Sequence, residues 1–282
     1  MRVVFQKFKK EVFIMVTLLT LIAGAELVSS VVNAQTLDTL VNMDIHNFFY
    51  KAICLVVIFA FYLLFTYMLI RYQAYFNQKV ATWLRDRISH SIEETSYGRF
   101  YEKNSQTYIS WFTSDLEQIK GNAMNPTFEV IGGIISAVIS AVALFMYHWS
   151  IVLLAAICIV IMAVLPALFS AELTDKTIKV SEANEKFAKS ISDLLSGYDT
   201  LFVFRKLAYL KEKIHEKSVE VGDTHRDFSK SMAKVAVSGG IGNVFSQISV
   251  FILTGYLAYI GEVSIGSILA AMALSSTIFN VL

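Results

Sequence analysis

The sequence predicts an all-α membrane protein with six membrane-crossing helices and two long helical hairpins on its cytoplasmic side. Three observations predict it. Of the 282 residues 55% are hydrophobic and 17% charged, with a mean hydropathy of +0.56, where an average soluble domain carries roughly 25% charged residues. Six apolar runs are long enough, or nearly so, to cross a hydrocarbon core of about 30 Å as helices. Lysine and arginine are confined almost wholly to alternate connecting segments. The same composition excludes other classes. With 2 prolines and 13 glycines the chain is neither a turn-rich β-sandwich nor collagen-like. Cys54 and Cys158 both sit inside apolar runs, which excludes a disulfide scaffold. A net charge of +1 gives no global attraction to nucleic acid.

The runs cover residues 12–33, 47–70, 128–147, 149–170, 235–260 and 265–282. They are too long and too uniformly apolar for barrel strands, which alternate. Residues 1–10 are basic and precede an apolar run, as in a signal peptide. That run, however, is nearly twice the usual length and is interrupted by Glu26, so it reads as a retained helix. Residues 1–11 hold 4 basic residues, 71–127 hold 7 and 171–234 hold 12, while the short links at 34–46, around His148 and at 261–264 hold none. Lys51 is the one basic residue outside the three segments. Positive charge marks the cytoplasmic side, so the N-terminus is expected there, in a cell (inner) membrane.

The two inner segments, 71–127 and 171–234, are 57 and 64 residues long and proline-free from 71 to 125 and from 171 to 234. Ile109, Phe112, Leu116, Ile119 and Ala123 step by threes and fours. Leu207, Ile214, Val221, Phe228 and Val235 recur every seven, and Ile178, Ala183, Phe187, Ile191 and Leu195 by fours and fives. Each segment reads as two helices that extend the membrane spans inward and turn near Gly98 and near residue 202. About 25 helical residues project roughly 37 Å from the membrane. Such rods either relay movement between a cytoplasmic motor and the spans or serve as a structural stalk.

The strings within these segments resemble the transmembrane domain of ATP-binding-cassette exporters of the half-transporter kind. Leu84-Arg85-Asp86-Arg87, then Tyr97-Gly98-Arg99-Phe100-Tyr101-Glu102-Lys103-Asn104, then Ser114-Asp115-Leu116-Glu117-Gln118-Ile119 look like that family's first inner hairpin. Ser192-Asp193-Leu194-Leu195-Ser196-Gly197 followed by Thr200-Leu201-Phe202 is similar to the string before its second coupling helix, with Asp193 where glutamate is usual. Gly261-Glu262-Val263-Ser264-Ile265-Gly266-Ser267 resembles the outer turn into the sixth helix, and Pro166 falls where a proline is common in the fourth. The resemblance implies a domain-swapped dimer with a second copy or a homologous half-transporter. It also implies two coupling helices that dock on a nucleotide-binding domain. The first would lie at 98–104, with Gly98, Arg99, Phe100, Tyr101 and Asn104. The second would lie at 203–209, with Val203, Phe204, Arg205, Lys206 and Tyr209.

The family normally continues into an ATPase domain, and no G-x-x-x-x-G-K-[ST] string occurs in this sequence. By itself the chain is therefore expected to bind neither ATP nor Mg, which the full transporter would hold, and to be a truncated part of a longer chain. Ser105 and Gln106 stand where a glycine often follows the first coupling helix, which leaves its boundary open.

Within the spans no catalytic constellation is visible, and His46, His90, His148, His215 and His225 share no metal-type spacing. Glu26 lies about 10 Å from the outer end of its run, where a carboxylate needs water, a partner or a cavity. It is a candidate for the substrate pathway, as are Asn243, Gln247, Ser275, Ser276 and Asn280. The expected function is ATP-coupled export of an amphiphilic or hydrophobic cargo (lipid, drug or peptide) across the lipid bilayer. The alternative is an ATP-independent channel or permease with a regulatory stalk.

Overall fold

The computed structural model describes residues 2–281, with side chains from Val3 onward. Every regular element among them is helical. In order these are α1 (Arg2–Lys7), α2 (Lys9–Val41), α3 (Ile45–Glu93), α4 (Tyr97–Phe100), α5 (Ser105–Phe112), α6 (Ser114–Ile119), a π-helical turn (Lys120–Met124), α7 (Asn125–Tyr147), α8 (Trp149–Ser196), α9 (Tyr198–Val203), α10 (Leu207–Tyr259) and α11 (Ser267–Phe279).

Five helical stretches among the described residues are long and apolar enough to cross a membrane: α2, α3, Ser105–Tyr147, α8 and α10. At 1.5 Å per residue, the 49 residues of α3 extend about 74 Å. That is more than twice the hydrocarbon thickness. The 48 residues of α8 and 53 of α10 exceed it in the same way. The sixth predicted run forms a shorter helix. α11 has 13 residues, about 20 Å, because Gly266 turns the chain before it and Asn280 caps it. Leu282, the last residue of that run, lies outside the described residues.

Three helices end in one way. In the Schellman motif the N–H groups of the two residues past the cap bond back to carbonyls inside the last turn, and the first of these residues is left-handed. Asp44 N–H donates to Thr39 O and Met43 N–H to Leu40 O after α2. Lys206 and Arg205 do the same to Leu201 and Phe202 after α9, and Glu262 and Gly261 to Leu257 and Ala258 after α10. The left-handed residues have φ of 57° at Met43, 55° at Arg205 and 83° at Gly261. Only the last is the glycine that this geometry favours.

The chain divides into two compact units, residues 1–154 with 249–282, and residues 155–248. In the first unit α2 and α3 run antiparallel. Lys79 pairs with Glu11 at one end and Lys51 donates to the Gln35 carbonyl (3.4 Å) at the other. Val4, Phe8, Met15, Phe76, Val80, Met124 and Phe128 form a buried cluster that joins α1, α2, α3 and α7. Its rings meet edge-on, Phe8 to Phe76 at 6.1 Å and Phe76 to Phe128 at 5.4 Å. α11 packs against α2 and α7 through Ala270, Ala271, Leu274 and Ile278. Its entry is fixed by Asp38, whose Oδ1 accepts the Gly266 N–H at 2.6 Å. A Cβ at Gly266 would collide with the Ala34 carbonyl.

In the second unit α8 and α10 run antiparallel. Glu172 accepts from Ser231 (2.8 Å) and Lys234 (2.8 and 3.1 Å), and His225 lies 3.4 Å from Asn184. Nearer the spans, Gly242 faces Met162 and Leu165, and Gly239 faces Pro166. Ile214, Val221, Phe228 and Val235 are half-buried as the seven-residue repeat requires. Leu207, beside the turn, is exposed. On α8 the fours-and-fives spacing overshoots the helical period, and Ile178 and Leu195 face outward while Ala183, Phe187 and Ile191 are half-buried. In the first segment the stripe breaks too. Ile109 and Ile119 are exposed and Leu116 is buried. Thr113 kinks the chain at φ −121°, ψ −92°, and the π turn advances the phase so that Met124, after Ala123, is the buried residue.

Replacing Gly266 by alanine forces backbone against backbone and should cost about 1–3 kcal/mol. Gly24→Ala, where a Cβ meets nothing within 4 Å, should cost nothing. Thermal unfolding in detergent separates the two, and equal midpoints would refute the close approach. The lysine and serine beside Glu172 hold its carboxyl below the ordinary 4.5. A depressed carboxylate adds stability above its unfolded pKa and loses it as pH falls through the folded one. The midpoint difference between wild type and Glu172→Gln should therefore be present at neutral pH and shrink progressively as pH falls below the ordinary 4.5.

Candidate functional site

Two tips and a set of polar span residues are the features that the sequence singles out. At the first tip, α3 ends at Glu93 and the chain re-enters helix as the single turn of α4, so Gly98, Arg99 and Phe100 lie on that turn and Tyr101 caps it. Asn104 caps α5, its Oδ1 accepting from the Thr107 N–H and hydroxyl, each at 2.9 Å. Phe100 stacks on Tyr108 at 4.7 Å, and the Tyr108 hydroxyl donates to the Phe100 carbonyl at 3.0 Å. Lys103 sits 4.5 Å over the Trp111 ring. Tyr97 and Tyr101 are left outward, 80% and 66% exposed. No left-handed φ requires the glycine at 98, and a Cβ there would meet open space.

At the second tip the short helix is α9, five residues earlier than the segment 203–209 that the resemblance points to. Val203 is its last residue, Phe204 caps it, Arg205 and Lys206 close the turn, and Tyr209 is already in α10. Phe202, Val203 and Phe204 are 61%, 74% and 71% exposed. Three large apolar side chains thus crown two charged rods, on a turn held with an arginine in the left-handed region. Water gives such a surface no compensation, and a protein partner does.

The polar span residues do not form one cluster. Glu26 is half-buried on α2, and its polar partner is Tyr62 of α3. Ser275 is fully buried on α11 with no hydrogen-bond partner for its hydroxyl. Asn280, exposed, reaches Ser276 at 3.4 Å. These four belong to the first unit. Asn243 and Gln247 belong to the second, where the Gln247 amide donates to Asn243 at 2.7 Å along α10. Between α2 and α7 lies a cleft of about 660 Å³ lined by Leu27, Val31, Val138, Val142, Met146 and Tyr147, aliphatic but for the tyrosine.

Sequence reading missed a further polar cluster. Asn125, the first residue after the π turn, accepts from Asn77 at 2.8 Å and Gln73 at 3.2 Å. Asn77 is 5% exposed, and its own Oδ1 has no partner. The signal was the spacing of two carboxamides four apart on α3, set against an asparagine before Pro126.

Helices longer than the bilayer thickness, with few polar residues in their apolar stretches, suit a membrane domain. The family model described as the ABC transporter transmembrane region matches residues 12–282. A sequence comparison with curated proteins gives no match. The chain belongs to the ABC transporter transmembrane region family and is the membrane part of an ABC transporter.

Proposed function

We propose that this chain is the membrane-spanning domain of an ATP-driven exporter. It crosses the bilayer six times with its N-terminus in the cytoplasm and pairs with a second copy or a homologous half. It moves an amphiphilic or hydrophobic cargo (lipid, drug or peptide) by alternating access. The observation that carries this reading is the exposed crown of Phe202, Val203 and Phe204 at the end of two helices that exceed the hydrocarbon thickness by about 40 Å (α8) and about 50 Å (α10). The crown is a surface on which a nucleotide-binding domain docks, and Tyr97 and Tyr101 at the first tip offer a separate one. α8 and α10 then carry its closure to the spans, because rods tied by Glu172, Ser231 and Lys234 move together. The aliphatic cleft between α2 and α7 suits the apolar part of a cargo. Transport requires that cargo bind the two access states with different affinity.

The ATPase rate of an attached or added nucleotide-binding domain, in the presence of this chain, tests the proposal. Phe204→Glu should abolish the stimulation and cross-linking at the tip, and Phe204→Leu should retain both. No stimulation by wild type, or an undiminished rate with Phe204→Glu, would overturn it. Relief of the left-handed arginine should make Arg205→Gly more stable by about 1 kcal/mol. The loss of a tip contact should slow the coupled ATPase at the same time. Thermal unfolding and ATPase assays read the two effects separately.

A further inference from the structure

Glu26 is the deepest charge in the apolar runs. It lies fourteen residues from one end of the run 12–33 and seven from the other, about 21 and 10 Å of helix. Lys51 and Glu129, the other charged residues in the six runs, stand within four residues of an end. A carboxylate at the depth of Glu26 calls for a counter-charge, and among the described residues none lies within ion-pair distance of it. Its polar partner is Tyr62 of α3, and a phenol orients a carboxylate without neutralising it. Arg71 and Lys51, the nearest cations along α3, are nine and eleven residues from Tyr62, about 14 and 16 Å. Lys51 is turned to the Gln35 carbonyl.

A second group beside Tyr62 is also left over. Thr66, four residues on and so on the same half-buried face of α3, has a buried hydroxyl with no partner. Thr17, Thr20, Thr254 and Thr277, elsewhere in the apolar stretches, each donate to the carbonyl four residues back. Thr66 departs from that habit. An anion without a cation and an oxygen without a donor thus lie on the paired helices α2 and α3. Leu27, the residue after Glu26, begins the α2 lining of the aliphatic cleft.

We infer that Glu26 recognises the cargo, and that the cargo is an amphiphilic protonated amine. The carboxylate takes the ammonium in a charge-assisted hydrogen bond. Tyr62 holds the carboxylate in place, and the Thr66 oxygen is an acceptor for a further N–H. The apolar body of the amine stays against the aliphatic surface that begins at Leu27. A metal ion fits the place poorly, since hard cations gather six or more oxygens. The inference rests on the export reading and names the head group of what is exported.

Binding of radiolabelled dodecylamine to the full chain in phosphatidylcholine nanodiscs, with empty nanodiscs as the blank, tests it. No motor domain or ATP is needed, so failure here leaves ATP-driven export of another cargo standing, and failure of the ATPase experiment leaves this binding measurable. Wild type should bind the amine saturably, and unlabelled dodecanol, of the same chain length and without charge, should not displace it. Glu26→Gln should weaken binding about tenfold or more, and Tyr62→Phe by a smaller factor. Glu129→Gln, a carboxylate at the end of its run, should leave binding unchanged. Absence of saturable binding by wild type, displacement by dodecanol as effective as by the amine, or undiminished binding by Glu26→Gln would overturn the assignment. Circular dichroism confirms that each variant is folded. Should Glu26→Gln fail there, Glu26→Asp, which keeps the charge, should retain binding, and its loss in that folded variant together with undiminished binding by Tyr62→Phe would overturn it.

Discussion

A backbone in hydrocarbon has no water to satisfy its N–H and C=O groups, so it must satisfy them within its own helix. This constraint makes the chain all-helical, and its effect outlasts the membrane. The helices α3, α8 and α10 continue well beyond the bilayer thickness, with one rung missing at Pro166 of α8. There the apolar stripe narrows to a seam and charges take the remaining faces. One mechanical element therefore reaches from lipid to tip. Its stiffness comes from the backbone and its pairing from the seam.

Where that ladder is interrupted, the interruption is local and specific. α2, α9 and α10 end with two back-donated N–H groups and a left-handed residue. The kink at Thr113 and the π turn before Asn125 lie on the return from the first tip. Both adjoin hydrogen bonds donated from α3, by Arg85 to the Phe112 carbonyl and by Gln73 to the Asn125 side chain. Regular helix fills the apolar stretches, and irregular backbone gathers between and at the ends of the long helices.

Sequence patterning carried the features that repeat. The seven-residue recurrence of Ile214, Val221, Phe228 and Val235 marks the face of α10 that is half-buried, because burial on a helix follows its period. Features that depend on a single contact were not legible. Nothing in the letters announces that Asp38 reaches Gly266 across 228 positions. A π turn leaves no composition signature, so the stripe through Ile119 and Ala123 was drawn as if it were continuous. The second short helix sits at Tyr198–Val203, ahead of 203–209, because a left-handed arginine closes it where a glycine would have been the visible sign. Of the polar span residues, sequence showed their unusual chemistry and could not show that they sort into separate units.

Pro166 lies inside α8 with Gly239 across from it and Gly242 one turn further along. Proline has no N–H to give the carbonyl four residues back, that of Met162. A rung is thus missing from the α8 ladder at the height where α10 presents bare backbone in place of side chains. Flexing α8 there stretches no bond that was ever formed and displaces no bulky neighbour. The long rod carries a built-in point of compliance within its apolar portion, and a load applied at the far tip is bent there first.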